Sequence, residues 1–189
     1  MMMMVLTALM VVMTATAKND RVTLTSGDGS VLMTAGKKAT LTIDYSRATC
    51  DGKPLQKYLK DCGDDYVRDW PGVRDKGYGA FVEKFNDKFE DGVQIVGSGG
   101  TLKIHFRVSE VDFGNTALSV AFSGIGSVGG AAVSGTLTVT NASGKRLAQF
   151  DVREVKGNGA ADYTEGTRLS TCLENVVKAL YKTIQKEKK

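Results

Sequence analysis

The chain has 189 residues, 42% of them hydrophobic and 24% charged, with a net charge of +4. That composition is ordinary for a globular protein and excludes a disordered chain. Acidic and basic residues are interspersed, and no basic stripe marks nucleic acid as a partner.

Met1 to Ala17 carries no charged side chain and holds the apolar run Val5–Met13. It ends in Ala15-Thr16-Ala17, followed by Lys18-Asn19-Asp20. This is the hydrophobic segment and small-x-small cleavage site of a secretory signal peptide. The run is shorter than the roughly 20 apolar residues that span a bilayer. The expected product is exported, periplasmic or secreted, with outer-membrane association as a further option. It has no stable membrane anchor, because no Cys follows the cleavage site to carry a lipid. Removing 17 of 189 residues leaves 172, which suits one domain. The expected organisation is a signal peptide over 1–17, an N-terminal extension or short hairpin over 18–38, and a single domain over 39–189.

In chain order, Val22, Leu24, Val31 and Leu32 flank Ser26-Gly27-Asp28-Gly29-Ser30, which reads as a hairpin because Asp-Gly is a strong turn signal. Ala39–Tyr45 alternates as a strand, with Leu41, Ile43 and Tyr45 on one face. Over 46–74 the periodicity fades, and we read a long surface insertion with a short helix near 54–60. Function concentrates in such loops. Asp75–Phe89 follows as a helix capped by Asp75, with the aromatic stripe Tyr78, Phe81, Phe85 and Phe89. Val93–Val96 is a short strand and Thr101–Asp112 a long one. The long strand sets Leu102, Ile104, Phe106 and Val108 against a polar face of Lys103, His105, Arg107 and Ser109. Ala117–Phe122 and Ala131–Thr140 read as further strands. Asn141-Ala142-Ser143-Gly144 turns the chain into Leu147–Val155. Glu165–Ile184 is a second helix, capped by Thr164, with a stripe of Leu169, Leu173, Val176, Leu180 and Ile184.

Gly124-x-Gly126-x-x-Gly129 has the letters of a dinucleotide fingerprint, but a strand pattern follows where that motif opens a helix, so no cofactor is expected. His105 is the only histidine and sits mid-strand without a nucleophile in sequence reach. Asp61, Asp64, Asp65 and Asp69 cluster without the order of a calcium loop, and no metal site is expected. Cys50 and Cys62 lie in the insertion and are the expected disulfide, while Cys172 falls on the apolar helix face. Tyr58, Tyr66, Arg68, Trp70 and Arg74 form an aromatic and basic grouping of the kind found at recognition surfaces, and are the candidate partner-binding residues. On that reading Tyr66 and Trp70 can both be truncated without loss of stability. The opposing reading is that these rings fasten the insertion to the domain.

Phe81–Phe89, Val93–Val96, the long strand Leu102–Asp112 with Asp112-Phe113-Gly114, Gly126-x-x-Gly129-Gly130-Ala131 and Gly135–Leu147 together resemble small bacterial cell-envelope proteins of domain-of-unknown-function family 4410. The resemblance covers about residues 39–185. It implies a fold similar to the small domain at the TolB N-terminus and brings no catalytic residues. The chain departs from that pattern in its missing lipid-bearing Cys and its Cys-containing insertion.

The expected fold is α+β: a mixed, mostly antiparallel sheet of four to six strands, with two helices on one face. The expected function is that of an exported, non-enzymatic envelope protein, a protein-binding or assembly module. Its partner is another envelope protein or a second copy of itself. The alternatives are a small-ligand carrier, which needs an apolar cavity of about 300 Å³ or more, and a periplasmic hydrolase, which needs convergent acid and base groups.

Overall fold

The computed structural model describes residues 21–114, 131–157 and 165–187. The signal-peptide segment, the expected strand 117–122, the glycine motif 124–129 and Thr164 lie outside the described residues. Among the described residues, eight strands form one sheet: β1 (Val22–Gly27), β2 (Lys38–Asp44), β3 (Thr49–Cys50), β4 (Lys53–Pro54), β5 (Gln94–Ile95), β6 (Leu102–Asp112), β7 (Ala132–Asn141) and β8 (Arg146–Lys156). The main order is β1-β8-β7-β6-β2-β5, with β3 beside β6 and β4 beside β3. The pairs β1–β8, β8–β7, β7–β6 and β3–β4 are antiparallel, whereas β2–β6, β2–β5 and β3–β6 are parallel. The helices are α1 (Leu55–Cys62), α2 (Asp64–Lys88) and α3 (Glu165–Glu187). The mixed α+β class stands, with more strands than expected; α1 falls where the short helix near 54–60 was expected, beside the two long helices.

The apolar face of the sheet makes the core. Leu102, Ile104, Phe106 and Val108 of β6, Leu137 and Val139 of β7, and Ala148, Phe150 and Val152 of β8 are buried. Helices α2 and α3 pack against each other, and both reach this core. The Phe81 and Phe106 rings lie 6.5 Å apart, and Thr183 Oγ1 donates to the Val22 carbonyl at 2.7 Å. The central stripe residues Phe85 and Leu173 are fully buried. Gly135 is required where β7 passes β6, because a Cβ there would stand 2.3 Å from the Arg107 carbonyl oxygen.

Of the register shifts in the sheet, those near the end of β6 bear on the face that this strand presents. The β6–β7 register slips between Val108 and Glu110, and the β7–β8 register slips opposite Ser134. Ser134 Oγ accepts from the Glu154 N–H at 3.0 Å, and Glu154 has φ +41°. Strand alternation has a period of two, so one extra residue flips every side chain beyond it. Even-numbered residues of β6 point inward as far as Val108. After the bulge, Val111 and Phe113 point inward instead.

Three expectations need correction. The residues after Asp28 do not return as a hairpin strand. Gly29–Met33 is a 3₁₀ helix, because Asp28 accepts from both the Ser30 N–H and the Ser30 hydroxyl at 2.8 Å, and this local turn outcompetes strand pairing. Strand β1 pairs with β8 instead. The stretch 46–74 is not an irregular surface loop. It contains the β3–β4 hairpin, α1 and the start of α2. Asp75 is an interior residue of α2 and caps nothing.

Candidate functional site

Gly63, with φ +131°, separates α1 from α2. The α1 terminus is satisfied by the Gly63 N–H, which bonds to the Leu59 and Lys60 carbonyls at 3.2 Å. Beyond it α2 runs for 25 residues with Pro71 inside. Where α1 and α2 meet the end of β6 there is a cleft of about 110 Å³, lined by Leu59, Asp65, Tyr66, Asp69, Trp70, Val73 and Phe113. Its aromatic floor is a chain of ring contacts. Trp70 meets Tyr45 edge-on at 5.3 Å and Phe113 edge-on at 6.1 Å, and Tyr58 stacks on Phe113 at 6.3 Å. Phe113 reaches this floor because of the β6 bulge. Its carbonyl accepts from the Arg168 guanidinium of α3 at 2.8 Å, and that arginine is buried.

The five candidate binding residues therefore divide. Trp70 is 5% exposed and belongs to the core, and Tyr58 is half-buried against Phe113. Tyr66 is 42% exposed and stands at the opening of the cleft. Arg68 is exposed and bridges Asp65 (2.5 Å) and Asp69 (3.0 Å). Arg74 is exposed on the next turn and acts electrostatically on Tyr45. Burial pushes the Tyr45 hydroxyl pKa well above its usual range, and among the described residues this hydroxyl has no hydrogen-bond partner. Leu59, Val73 and Phe113 line the cleft and were not singled out from sequence. The spacing Tyr66, Trp70, Val73 was the available signal.

The remaining motifs fall elsewhere. The expected Cys50–Cys62 bond is absent. Cys50, in β3, is buried whereas Cys62, at the end of α1, is exposed, and the Tyr58 hydroxyl lies beside both thiols. Burial pushes the Cys50 thiol up to about 11. Desolvation, then the neighbouring Cys50 and Cys62, raise the Tyr58 hydroxyl. The acidic cluster is split among ion pairs. Asp61 takes Lys53 at 3.0 Å, which holds its carboxyl below the usual range, and Asp65 and Asp69 take Arg68. His105 lies on the polar sheet face, 3.8 Å from Asp44. It is eight residues from Phe113 along β6, on the order of 25 Å from the cleft. Among the described residues, no helix is long and apolar enough to cross a membrane.

No protein-family model and no curated protein matches this chain. Among solved structures it is similar to the PelC dodecamer from Paraburkholderia phytofirmans, at 12% identity over 84% of this chain and 95% of that one, with a TM-score of 0.44. It is also similar to an uncharacterized protein, at 10% identity over 81% of this chain and 95% of that one, with a TM-score of 0.39. A third likeness is to a Xanthomonas campestris protein of domain-of-unknown-function family 330, at 12% identity over 80% of this chain and 87% of that one, with a TM-score of 0.36. These likenesses support neither membership of family 4410 nor a TolB-like fold. At such scores they are too loose to carry an activity or a partner to this chain.

Proposed function

We propose that this chain is an exported, non-enzymatic envelope module that binds another protein through the surface around α1 and the first half of α2. The observation that carries the reading is the cleft itself. Tyr66 stands exposed over a recess walled by Leu59, Trp70, Val73 and Phe113, and Val67 beside it is also exposed. An exposed aromatic at the edge of a well-packed apolar recess is what an interface anchor site requires. Tyr58 and Trp70 hold the recess in shape, while Arg68 pairs with the carboxylates at its opening and Arg74 stands exposed on the next turn. The ligand-carrier alternative is less well supported, because drug-sized ligands occupy pockets of about 300–1,000 Å³ and this cleft offers about 110 Å³.

The test is capture from native envelope with the mature chain as bait, alongside Tyr66→Ala and His105→Ala. Wild type and His105→Ala should retain the same partner, and Tyr66→Ala should lose it with an unchanged melting curve. Equal capture by Tyr66→Ala would refute the assignment of the surface. Loss with His105→Ala, the fold intact, would favour chemistry on the sheet face instead.

A further inference from the structure

We infer that the occupant of the cleft is a basic peptide segment that inserts one aliphatic side chain between flanking Lys or Arg residues. This rests on the protein-binding reading above and adds the chemistry of the partner. Size sets the anchor. An engineered cavity of about 150 Å³ accepts a benzene ring, so a cleft of about 110 Å³ admits a side chain of leucine or methionine size. Leu59, Val73, Trp70 and Phe113 supply apolar walls for it.

Charge sets the flanks. Among the described residues, the charged ones that line the cleft are Asp65 and Asp69, and no Lys or Arg does. Their side chains are 76% and 63% exposed, so they stand at the opening and not in the floor. A carboxylate in the first turn suits the helix dipole, which accounts for Asp64 and Asp65. Asp69 lies beyond that turn and has no such role. The two lining carboxylates are four residues apart on α2, which places their Cβ atoms about 5–6 Å apart on one face. In an extended peptide the two neighbours of an anchor residue point away from the cleft, and only side chains with the long stems of Lys or Arg reach back around the backbone to carboxylates at its opening.

Arg68 now bridges the pair from outside the cleft, and one guanidinium against two carboxylates leaves a net negative opening. That bridge is exposed, and exposed bridges contribute little, so an incoming cation can replace it. The aromatic face of Tyr66 at the same opening also favours a cation.

Trp70 is the only tryptophan in the chain and lines the cleft, so its emission reports on this site. The probes are blocked pentapeptides: Gly-Lys-Leu-Lys-Gly, its Glu-Leu-Glu counterpart, and a Lys-Gly-Lys control. The basic leucine peptide should shift the emission saturably, and the other two should not. The double variant Asp65→Asn with Asp69→Asn should weaken binding by roughly two- to fivefold per carboxylate, the range of exposed ion pairs. Arg68→Ala should tighten it. Circular dichroism melts establish that each variant folds. An equal response to the acidic peptide, or an unchanged affinity in the Asn variant, would overturn the inference. Tyr66-dependent capture that ignores the Asn pair would overturn it while leaving the protein-binding reading standing. Self-association of the bait that Tyr66→Ala abolishes would replace the basic peptide with a second copy of this chain.

Discussion

Replacing Trp70 by Ala separates the fastening role of the aromatic cluster from any binding role. Trp70 is 5% exposed and touches Tyr45 and Phe113 edge-on at 5.3 and 6.1 Å. Truncating a buried Trp costs about 3–5 kcal/mol, and the two edge contacts place it in the upper part of that range. One effect works the other way. The buried Tyr45 hydroxyl has no partner among the described residues, and such a group costs about 1–3 kcal/mol. Water admitted to the new void can solvate that hydroxyl and recover part of the loss. The expected net loss is about 2–4 kcal/mol, a large share of the roughly 5–15 kcal/mol that holds a domain together. Urea melts must be followed by far-UV circular dichroism, since the variant lacks the only tryptophan. Tyr66→Ala should stay within about 0.5 kcal/mol of wild type, as exposed positions do. A loss below about 1 kcal/mol in Trp70→Ala would refute the placement of Trp70 in the core. The structure thus divides two rings that sequence reading treated as equivalent.

Glycines on α2 give a second contrast. A Cβ at Gly79 meets nothing within 4 Å, whereas one at Gly77 would stand 2.9 Å from Leu173 Cδ1 in the fully buried α2–α3 contact. Gly79→Ala should raise stability by about 0.5–1 kcal/mol through helix propensity. Gly77→Ala should cancel that gain or lose about 1–2 kcal/mol to overpacking, and urea melts read the difference. Thiol labelling of the native chain should modify Cys62 rapidly and leave Cys50 and Cys172 slow, by peptide mapping. Burial raises the Cys50 pKa from 9.0 to about 11. Its stability contribution is therefore whole below pH 9 and lost as pH rises through about 11. Over that window the urea midpoint should fall further in wild type than in Cys50→Ala.

What sequence could reveal follows from how far each signal reaches along the chain. Strands β6, β7 and β8 run for 10 or 11 residues, long enough for alternation to declare them, and the Asn141–Gly144 turn carries its own chemistry in three contacts to the Asn141 carboxamide oxygen. Strands β3, β4 and β5 have two residues each and cannot show a period. β5 is held by a distant side chain, since Asn86 of α2 both donates to and accepts from the Ile95 backbone. The start of α2 was hidden differently. Tyr66, Trp70, Val73, Gly77, Phe81 and Phe85 form one continuous stripe, but Pro71 reads as a helix breaker and Gly77 leaves a gap in the stripe. That gap is where α3 approaches, so the residue that obscured the pattern is the one the packing needs. The cleft was half legible for a related reason. Tyr66 and Trp70 are conspicuous by type, but Phe113 joins them only because a bulge four residues earlier reverses its facing. A change of parity inside a strand leaves two adjacent exposed residues, Ser109 and Glu110, as its trace. In the sequence they look like an ordinary polar pair. Of the apolar walls, Phe113 thus depends on long-range register, whereas Trp70, Val73 and the charged opening are encoded locally on α2.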